Sequence, residues 1–296
     1  MINFCKGILT AMITPFDENG VNLEEFGKMI EYQIEGGSSA LVVLGTTGEP
    51  ATMTEDEKEQ VITYAVKKAA GRIKIIVGTG SNDTKKAVAN SVKAEKLGAD
   101  GVLAVTPYYN KCTQQGLLEY YRQICSAVKI PVIAYNVPSR TAVNIEPETV
   151  EKLAEIPNMA GIKEASGNMA KTCETMRRIR GKMDLYSGED FLNLPMLAIG
   201  GAGLISVTSN IAPKLMKKLY TLVSENKLKE ANEVQDFLLP LEDACFLEVN
   251  PIPIKAAYNM IGFKAGVPRS PLTELEEHNK KKLREAIKNA GLKVYD

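Results

Sequence analysis

The feature that most constrains this chain is an alternation of short apolar runs with amphipathic segments, which recurs eight times between residues 8 and 223. Each run is too apolar to have a solvent-exposed face, so the pattern predicts parallel strands that are covered by helices. Eight such units close into a (β/α)₈ TIM barrel, of class α/β. The alternative is an open doubly wound sheet, which is weakened because no G-x-G-x-x-G follows the first strand. The predicted strands are residues 8–13, 40–44, 73–77, 101–105, 131–135, 159–163, 183–186 and 203–207.

The chain changes character after about residue 225, where the apolar strands stop and only helical patterns remain. Three helices are predicted there, at residues 228–241, 251–261 and 272–290. We therefore predict a catalytic barrel over residues 1–225 and a helical extension over 226–296, which packs on the barrel or on a partner subunit. Within the barrel, Thr54 to Glu57 form a capping-box pattern and Asp83 is placed to begin another helix.

Composition indicates a small-molecule or protein partner. Thirty-six basic and thirty-six acidic residues give a formal net charge of zero, so no net positive charge attracts the chain to nucleic acid or anionic lipid. Residues 1–6 contain no long apolar leader and no later run is long enough to span a bilayer. The cysteines are odd in number and scattered, which is typical of reduced thiols, and we expect a cytoplasmic protein. They are Cys5, Cys112, Cys125, Cys173 and Cys245.

The chain has a single histidine, His278, in a charged run typical of a solvated helix face. A histidine-based metal site or a serine–histidine relay is therefore not expected. Acid and base chemistry must fall to Tyr, Lys, Asp, Glu or groups of the substrate, and we expect neither a metal nor another cofactor.

Lys163 ends one of the apolar runs, Met159-Ala160-Gly161-Ile162-Lys163. An amine at the edge of an apolar interior is disfavoured in its charged form, and an uncharged amine is a nucleophile. With a carbonyl substrate it forms a Schiff base, which allows the neighbouring carbon to become an enamine. The alternative is a lysine that extends from the strand end into solvent.

Several polar side chains follow the other predicted strands, at the barrel edge where catalytic groups of such folds lie. The turn Gly45-Thr46-Thr47-Gly48 offers hydroxyls and backbone N–H groups to a carboxylate, although it could equally be an ordinary tight turn. The paired tyrosines Tyr108 and Tyr109 suit a lid or an interface as well as a site.

Two further groups follow the fifth predicted strand. Tyr135 could move protons, although it could also be a core tyrosine with a satisfied hydroxyl. Arg140, in a loop that contains a proline, suits two-pronged binding of a carboxylate, although it could be a surface arginine. One lysine, one arginine, a tyrosine and several hydroxyls on a single rim favour a site over independent turns and core residues.

Five motifs together resemble the dihydrodipicolinate synthase family, within the superfamily of pyruvate-dependent class I aldolases and N-acetylneuraminate lyase. The similarity runs from the first strand to the last helices, and the ordered set is highly specific although no single motif is decisive. The motifs are Gly45-Thr46-Thr47-Gly48-Glu49, Thr106-Pro107-Tyr108-Tyr109-Asn110, Tyr135-Asn136-Val137-Pro138-Ser139-Arg140, Gly161-Ile162-Lys163-Glu164 and Asn250-Pro251-Ile252-Pro253-Ile254-Lys255.

The resemblance implies a lyase in the diaminopimelate route to lysine, which condenses pyruvate with L-aspartate 4-semialdehyde through an imine and needs no metal. It also implies a homo-oligomer, with a tetramer favoured over a dimer, because one relay tyrosine comes from a neighbouring subunit. The implied catalytic residues are Lys163 for the imine and Tyr135, Thr46 and the neighbour's Tyr109 for proton relay. The implied substrate-binding residues are Thr47 for the pyruvate carboxylate, Gly188 and Ile205 through backbone groups, and Arg140 for the semialdehyde carboxylate.

Two other functions stay open. Lyases of 2-keto-3-deoxy sugar acids or N-acetylneuraminate share the barrel and the lysine, but usually lack the arginine at position 140. A non-catalytic barrel that binds a keto acid would retain the pocket without turnover.

Where lysine-inhibited relatives carry a histidine and a glutamate on neighbouring helices, this chain has Lys58 and Lys86, so we expect weak or absent inhibition by lysine.

Overall fold

Eight parallel strands form a closed barrel in the computed structural model, which describes residues 4–295. This confirms the predicted (β/α)₈ fold, and each strand lies within two residues of its predicted bounds. In chain order the strands are β1 (Gly7–Ala11), β2 (Ala40–Val43), β3 (Lys74–Gly78), β4 (Gly101–Val105), β5 (Val132–Asn136), β6 (Met159–Glu164), β7 (Asp184–Ser187) and β8 (Gly203–Ser206).

The barrel closes because β1 pairs on one side with β8 and on the other with β2. Leu9 lies opposite Ile205 on β8 and opposite Ala40 on β2. Alternate side chains of each strand point into the barrel, where an apolar cluster includes Leu9, Val42, Ile76, Leu103 and Ile133. The interior is therefore packed, which leaves the carboxyl ends of the strands as the place for a cavity.

Helices cover the outside of the barrel through a second and larger apolar cluster. Among the described residues, no helix combines the length and the apolar character needed to cross a membrane. The helices are α1 (Leu23–Glu35), α2 (Glu55–Ala69), α3 (Thr84–Lys96), α4 (Gln114–Ala127), α5 (Pro138–Thr141), α6 (Pro147–Leu153), α7 (Met169–Ile179), α8 (Asn193–Ala198), α9 (Pro213–Ser224), α10 (Leu228–Ala244), α11 (Ile252–Met260) and α12 (Glu277–Asn289).

Both predicted helix starts are confirmed. The Thr54 hydroxyl accepts the N–H of Glu57, and the Glu57 carboxylate accepts the N–H of Thr54 at 2.9 Å, which completes the capping box. Asp83 caps α3 by accepting the N–H of Lys85. Each cap satisfies backbone donors that the first helical turn would otherwise leave unpaired.

Three features differ from the predictions. The last helix begins at Glu277 rather than at residue 272, because the stretch before it is held in an irregular path by tertiary contacts such as the one from the Glu276 N–H to the Glu248 carboxylate. Arg140, predicted in a loop, lies on the short helix α5, which begins at Pro138. An additional antiparallel hairpin pairs Phe16–Asp17 with Gly20–Val21.

The helices beyond the barrel pack on it and on one another. Helix α10 contacts α9 and α12, and α11 contacts α12. The division into a barrel of 1–225 and an extension of 226–296 stays a prediction, and its outer ends, residues 1–3 and 296, lie outside the described residues. The prediction that residues 1–6 contain no apolar leader also concerns residues 1–3, which lie outside the described residues.

Candidate active site

A cavity of about 230 Å³ opens at the carboxyl ends of the barrel strands and contains most of the predicted site residues. Apolar side chains such as Leu103 and Val207 form part of its wall. Six of the eight residues predicted for the site line this cavity: Lys163, Tyr135, Thr46, Thr47, Arg140 and Gly188. These six residues come from four different strands or their following loops and converge on one space, as the rim of such a barrel allows.

Lys163 lies near the end of β6, and only 5% of its surface is exposed. It stands directly opposite Tyr135 in the register of β5 and β6, and its Nζ lies 4.3 Å from the centre of the Tyr135 ring. Because neighbouring residues on parallel strands point to the same face, the register alone brings the phenol beside the amine. The alternative of a lysine extended into solvent is wrong.

Gly188 makes room for the lysine. A Cβ atom at this position would lie 2.9 Å from Cε of Lys163, 2.8 Å from Cβ of Ala165 and 3.0 Å from the backbone oxygen of Glu164. Contacts this short would displace the Lys163 side chain. A glycine here is therefore required by the position of the amine.

The two threonines lie on a single 3₁₀ turn, Thr46–Gly48, which directly follows β2. The Thr14 hydroxyl donates to the backbone oxygen of Gly48 at 2.7 Å, and the Asn250 amide donates to Oγ1 of Thr47 at 2.9 Å. The turn is thus fixed from the first strand and from the segment before α11. With its oxygen held as an acceptor, the Thr47 hydroxyl has its own hydrogen available for a bound carboxylate.

Glu49 closes this turn in the left-handed conformation, with a φ of 56°. Such a backbone is costly for a residue other than glycine and persists where the surroundings fix it. Its carboxylate accepts the N–H of Arg269 at 2.8 Å and is paired with Lys255 of α11. Burial lowers the pKa of Lys255 to about 8, and the Glu49 charge opposes this shift.

Arg140 projects from α5 at the mouth of the cavity. Its Nη2 donates to the backbone oxygen of Asn250 at 3.2 Å, and the residue as a whole is exposed. It also lines a second cavity of about 650 Å³, which contains Lys58, Lys86 and Tyr108. The guanidinium is therefore held at the border of the two cavities with donors free for an anionic ligand.

Glu164 follows Lys163 directly but points to the other face of β6. Its carboxylate accepts the Asn136 amide at 2.9 Å and the N–H of Ser166 at 2.7 Å. Burial raises the pKa of Glu164. This carboxyl supports the loops after β5 and β6 and does not line the cavity.

Two predicted residues do not line the cavity of their own chain. Tyr109 is 92% exposed, with a positive φ of 70°, and lies at the surface. Its predicted role in a neighbouring subunit's site stays a prediction. Ile205 is buried in the cluster inside the barrel, beside Tyr135 and Tyr186, and its predicted backbone contact with substrate also stays a prediction.

Three cavity residues with polar side chains had no assigned role in the sequence-based prediction. Ser139 and Asn250 lie within quoted motifs, and Glu189 follows Gly188 directly, so each could have been suspected from its neighbours. No group of three metal-ligating side chains occurs among residues 4–295. His278 is exposed and lies 3.2 Å from Glu276. The expectation that no cofactor is needed stays a prediction.

A buried lysine on the sixth strand of a closed barrel, beneath a polar cavity with a guanidinium at its mouth, defines a barrel enzyme of the lysine-dependent lyase and aldolase class. Residues 4–290 match the dihydrodipicolinate synthetase family. The chain belongs to that family.

Individual relatives are similar over nearly their whole length. The chain is 47% identical to the 4-hydroxy-tetrahydrodipicolinate synthase of Caldicellulosiruptor bescii, over 98% of each chain. The crystal structure of dihydrodipicolinate synthase from Aquifex aeolicus superposes with a TM-score of 0.96 at 44% identity, covering 98% of this chain and 100% of that one. The chloride-inhibited enzyme from Acinetobacter baumannii, complexed with pyruvate, superposes with a TM-score of 0.95 at 41% identity, covering 97% of this chain and 99% of that one.

Proposed function

We propose that this chain is a 4-hydroxy-tetrahydrodipicolinate synthase, which condenses pyruvate with L-aspartate 4-semialdehyde on the route to lysine. The observation that carries the proposal is the placement of the Lys163 amine, buried beside Tyr135 in a cavity that Arg140 borders. Relatives named for this activity match the chain over nearly its full length, and the A. baumannii enzyme was crystallised in complex with pyruvate.

The first half of the reaction builds the nucleophile. The Lys163 amine adds to C2 of pyruvate, and water leaves as the imine forms. Loss of a proton from C3 gives the enamine, because the imine nitrogen accepts the electron pair. The Tyr135 phenol lies beside the amine and is suited to exchange the protons of these steps, since its hydroxyl can both donate and accept a hydrogen bond. The Thr47 hydroxyl would hold the pyruvate carboxylate.

The second half joins the substrates and frees the enzyme. The enamine carbon bonds to the aldehyde carbon, whose oxygen takes up a proton. The amine of the semialdehyde then attacks C2 of the imine, which closes the ring and returns Lys163 as the free amine. Arg140 would bind the semialdehyde carboxylate as the substrate enters past α5, and Thr46 would complete the proton relay.

Borohydride trapping tests the imine. Reduction in the presence of pyruvate should add the mass of one reduced pyruvate to the intact chain, and Lys163→Arg should abolish the adduct. An unmodified wild-type chain would contradict the proposal and favour a barrel that only binds a keto acid. Turnover with polyol aldehydes in preference to L-aspartate 4-semialdehyde would instead indicate a lyase of sugar acids, which Arg140 argues against.

We further propose that the working form is a homo-oligomer, a tetramer in preference to a dimer, in which Tyr109 serves the site of a neighbouring subunit. Its side chain is 92% exposed and lies outside its own cavity. Subunit mixing tests this role: Lys163→Arg and Tyr109→Phe chains, each impaired alone, should regain activity when mixed, because one pairing combines an intact lysine with an intact tyrosine. No recovery would contradict the role, and sedimentation distinguishes a tetramer from a dimer.

We propose a cytoplasmic location because the cysteines are free thiols. All five cysteines are free, and Cys5, Cys125 and Cys245 are buried. Free thiols are typical of reducing compartments. Fractionation of the source cells with detection of the chain checks this location.

A further inference from the structure

The cavity around Lys163 contains one negative charge. Of the described residues that line it, Glu189 is the only one with a carboxyl group, while Arg140 and Lys163 are the basic residues. Glu189 lies in the loop after β7, directly after the glycine that makes room for the lysine. A carboxylate thus lies in a small space that it shares with a guanidinium and an amine.

This carboxylate has no partner among the described residues. Its residue is half-buried, yet within residues 4–295 no side chain or backbone N–H donates a hydrogen bond to it, and no cation pairs with it at contact distance. The hydrogen bonds of this residue are made by its backbone oxygen, which accepts from the Ser187 hydroxyl and the Leu192 N–H. The carboxylate can therefore accept a hydrogen bond from a molecule that enters the cavity.

The neighbouring carboxyls differ in this respect. Asp190 accepts the N–H groups of Val207 and Thr208 at 3.1 and 2.8 Å, and the amide of Asn193 at 3.2 Å. Glu164 is likewise occupied by Asn136 and Ser166 and does not face the cavity. Glu189 alone among the three is free to meet a ligand.

The aldehyde substrate of the proposed function has one carboxylate and one ammonium group. Arg140 complements the carboxylate, and once Lys163 has become an imine the cavity offers a single side-chain charge of the opposite sign for the ammonium. We propose that Glu189 binds the α-ammonium group of the aldehyde substrate and thereby selects an amino-acid aldehyde over aldehydes without the amino group. This inference rests on the proposed function and deepens it.

The electrostatics around Glu189 agree with this role. Burial raises the pKa of its carboxyl, while Lys163 and Arg140 act in the opposite direction. An ammonium that enters the cavity supplies an additional positive charge and so favours the ionised carboxylate. The same ammonium gains a charge-assisted hydrogen bond in a partly desolvated space, where such a bond is stronger than in water.

The test compares two aldehydes and two variants. The aldehydes are L-aspartate 4-semialdehyde and succinate semialdehyde, which differ by the amino group. Formation of the carbon–carbon bond is followed in single-turnover reactions that are quenched with borohydride. Intact mass spectrometry then measures how much pyruvate adduct remains on the chain as the aldehyde concentration is increased. Glu189→Gln keeps the size and removes the charge. Glu59→Gln is the matched control, because Glu59 lines only the larger neighbouring cavity.

We expect wild-type protein to use the amino aldehyde about 10- to 100-fold more efficiently than the other, the range of one charge-assisted hydrogen bond. Glu189→Gln should lose most of this preference, through a higher apparent KM for the amino aldehyde alone, and Glu59→Gln should keep it. Trapping of the pyruvate imine should be unchanged in both variants, because neither substitution removes the amine.

Three results would overturn the inference. The first is a wild-type protein that does not prefer the amino aldehyde, and the second is a Glu189→Gln variant that keeps the preference. The third is a Glu189→Gln variant that loses efficiency equally for both aldehydes, which would indicate a general electrostatic effect on Lys163. The first result needs no variant, so the test holds even where a substitution disturbs folding. Failure of the proposed function itself looks different, since wild-type protein would then form no imine or turn over neither aldehyde.

Discussion

Nζ of Lys255 lies 2.7 Å from Oε1 of Glu49, and both side chains are buried, at 0% and 3% exposure. The ammonium also lies 3.9 Å from the centre of the Phe16 ring. This ion pair joins helix α11 to the residue that closes the threonine turn, so the helical segment beyond residue 225 contributes directly to the geometry of the candidate site.

Removing one partner of this pair should destabilise the fold strongly. Lys255→Met leaves a buried carboxylate without its cation, which typically costs about 3–5 kcal/mol of unfolding free energy. Urea denaturation followed by circular dichroism measures the loss. The double variant Lys255→Met/Glu49→Met should be more stable than Lys255→Met alone, because no unpaired charge remains.

An exposed pair supplies the control for this prediction. The side chains of Lys227 and Glu225 are 53% and 49% exposed, although their charged atoms are also 2.7 Å apart. Lys227→Met should leave the unfolding midpoint unchanged within error, because solvent screens exposed pairs. Similar losses in Lys255→Met and Lys227→Met would contradict the importance of burial.

The hydrogen bond from Asn250 to Thr47 should matter for pyruvate more than for stability. Thr47→Val removes both the acceptor of this bond and the proposed donor to pyruvate, so we expect the KM for pyruvate to rise by at least about fivefold, the equivalent of one neutral hydrogen bond. Thr47→Ser keeps the hydroxyl and should stay near the wild-type KM. Steady-state kinetics at saturating semialdehyde measure the difference, and equal effects of valine and serine would contradict a role for the hydroxyl.

Arg140 should discriminate between the two substrates. Arg140→Ala removes the guanidinium at the cavity mouth, so semialdehyde use should fall about 10- to 100-fold, as for loss of a charged hydrogen bond. Formation of the pyruvate imine, followed by borohydride trapping, should change little. Arg140→Lys should recover only part of the loss, because an ammonium cannot form the two-pronged contact. Equal loss of both steps would count against the assignment.

Glu242 should make stability depend on pH. It lies on α10 and is fully buried, and within residues 4–295 the Gln235 amide is the only hydrogen-bond donor to its carboxyl group. Burial, with a smaller contribution from Asp190, raises the pKa of its carboxyl from 4.5 to about 9. Between these values the folded state holds a proton that the unfolded state releases. The contribution of this proton to the stability of the folded state is therefore complete below pH 4.5 and is lost as the pH rises through 9.

Glu242→Gln tests this dependence because the amide does not titrate. The difference in unfolding free energy between wild type and variant should fall from about pH 5 to pH 9, by at most about 1.4 kcal/mol per pH unit. Urea denaturation at a series of pH values measures the difference. A constant difference would mean that Glu242 has the same pKa in both states.

Binding of L-lysine should be weak. Lys58 and Lys86 line the larger cavity beside Glu55, Glu59 and Asp83, and the charge of the two lysines opposes the binding of a cationic effector next to them. Lys58 is paired with Glu55 at 2.8 Å, which reduces the repulsion without reversing it. Isothermal calorimetry should detect no tight binding of L-lysine, and Lys86→Glu should strengthen whatever binding remains. A tight wild-type complex would contradict the prediction.

The barrel could be predicted because its signals are local. Each strand is a short apolar run, and each helix start carries its own cap, as at Thr54 and Asp83. The proximity of Tyr135 and Lys163 also follows from the fold, since consecutive parallel strands place their ends side by side. Most of the site was therefore accessible once the barrel was recognised.

The remaining features depend on contacts between distant parts of the chain. Glu49 and Lys255 are 206 residues apart in sequence, and nothing in either local pattern indicates that they pair. The irregular path before α12 has the same origin, because the Glu276 N–H is bound by the Glu248 carboxylate rather than by a helical carbonyl. The position of Glu189 after Gly188 is visible in the sequence, but the lack of a partner for its carboxyl is not.

The closed barrel also sets the order in which the molecule can be completed during synthesis. Strand β1 remains an open edge until β8, near residue 206, has been made. The threonine turn then waits for Asn250, Lys255 and Arg269. More than nine-tenths of the 296 residues must therefore be synthesised before the pocket can be assembled. A chain that ends before β8 would leave the edge of β1 unpaired, and one that ends before Arg269 would lack a contact that fixes the threonine turn.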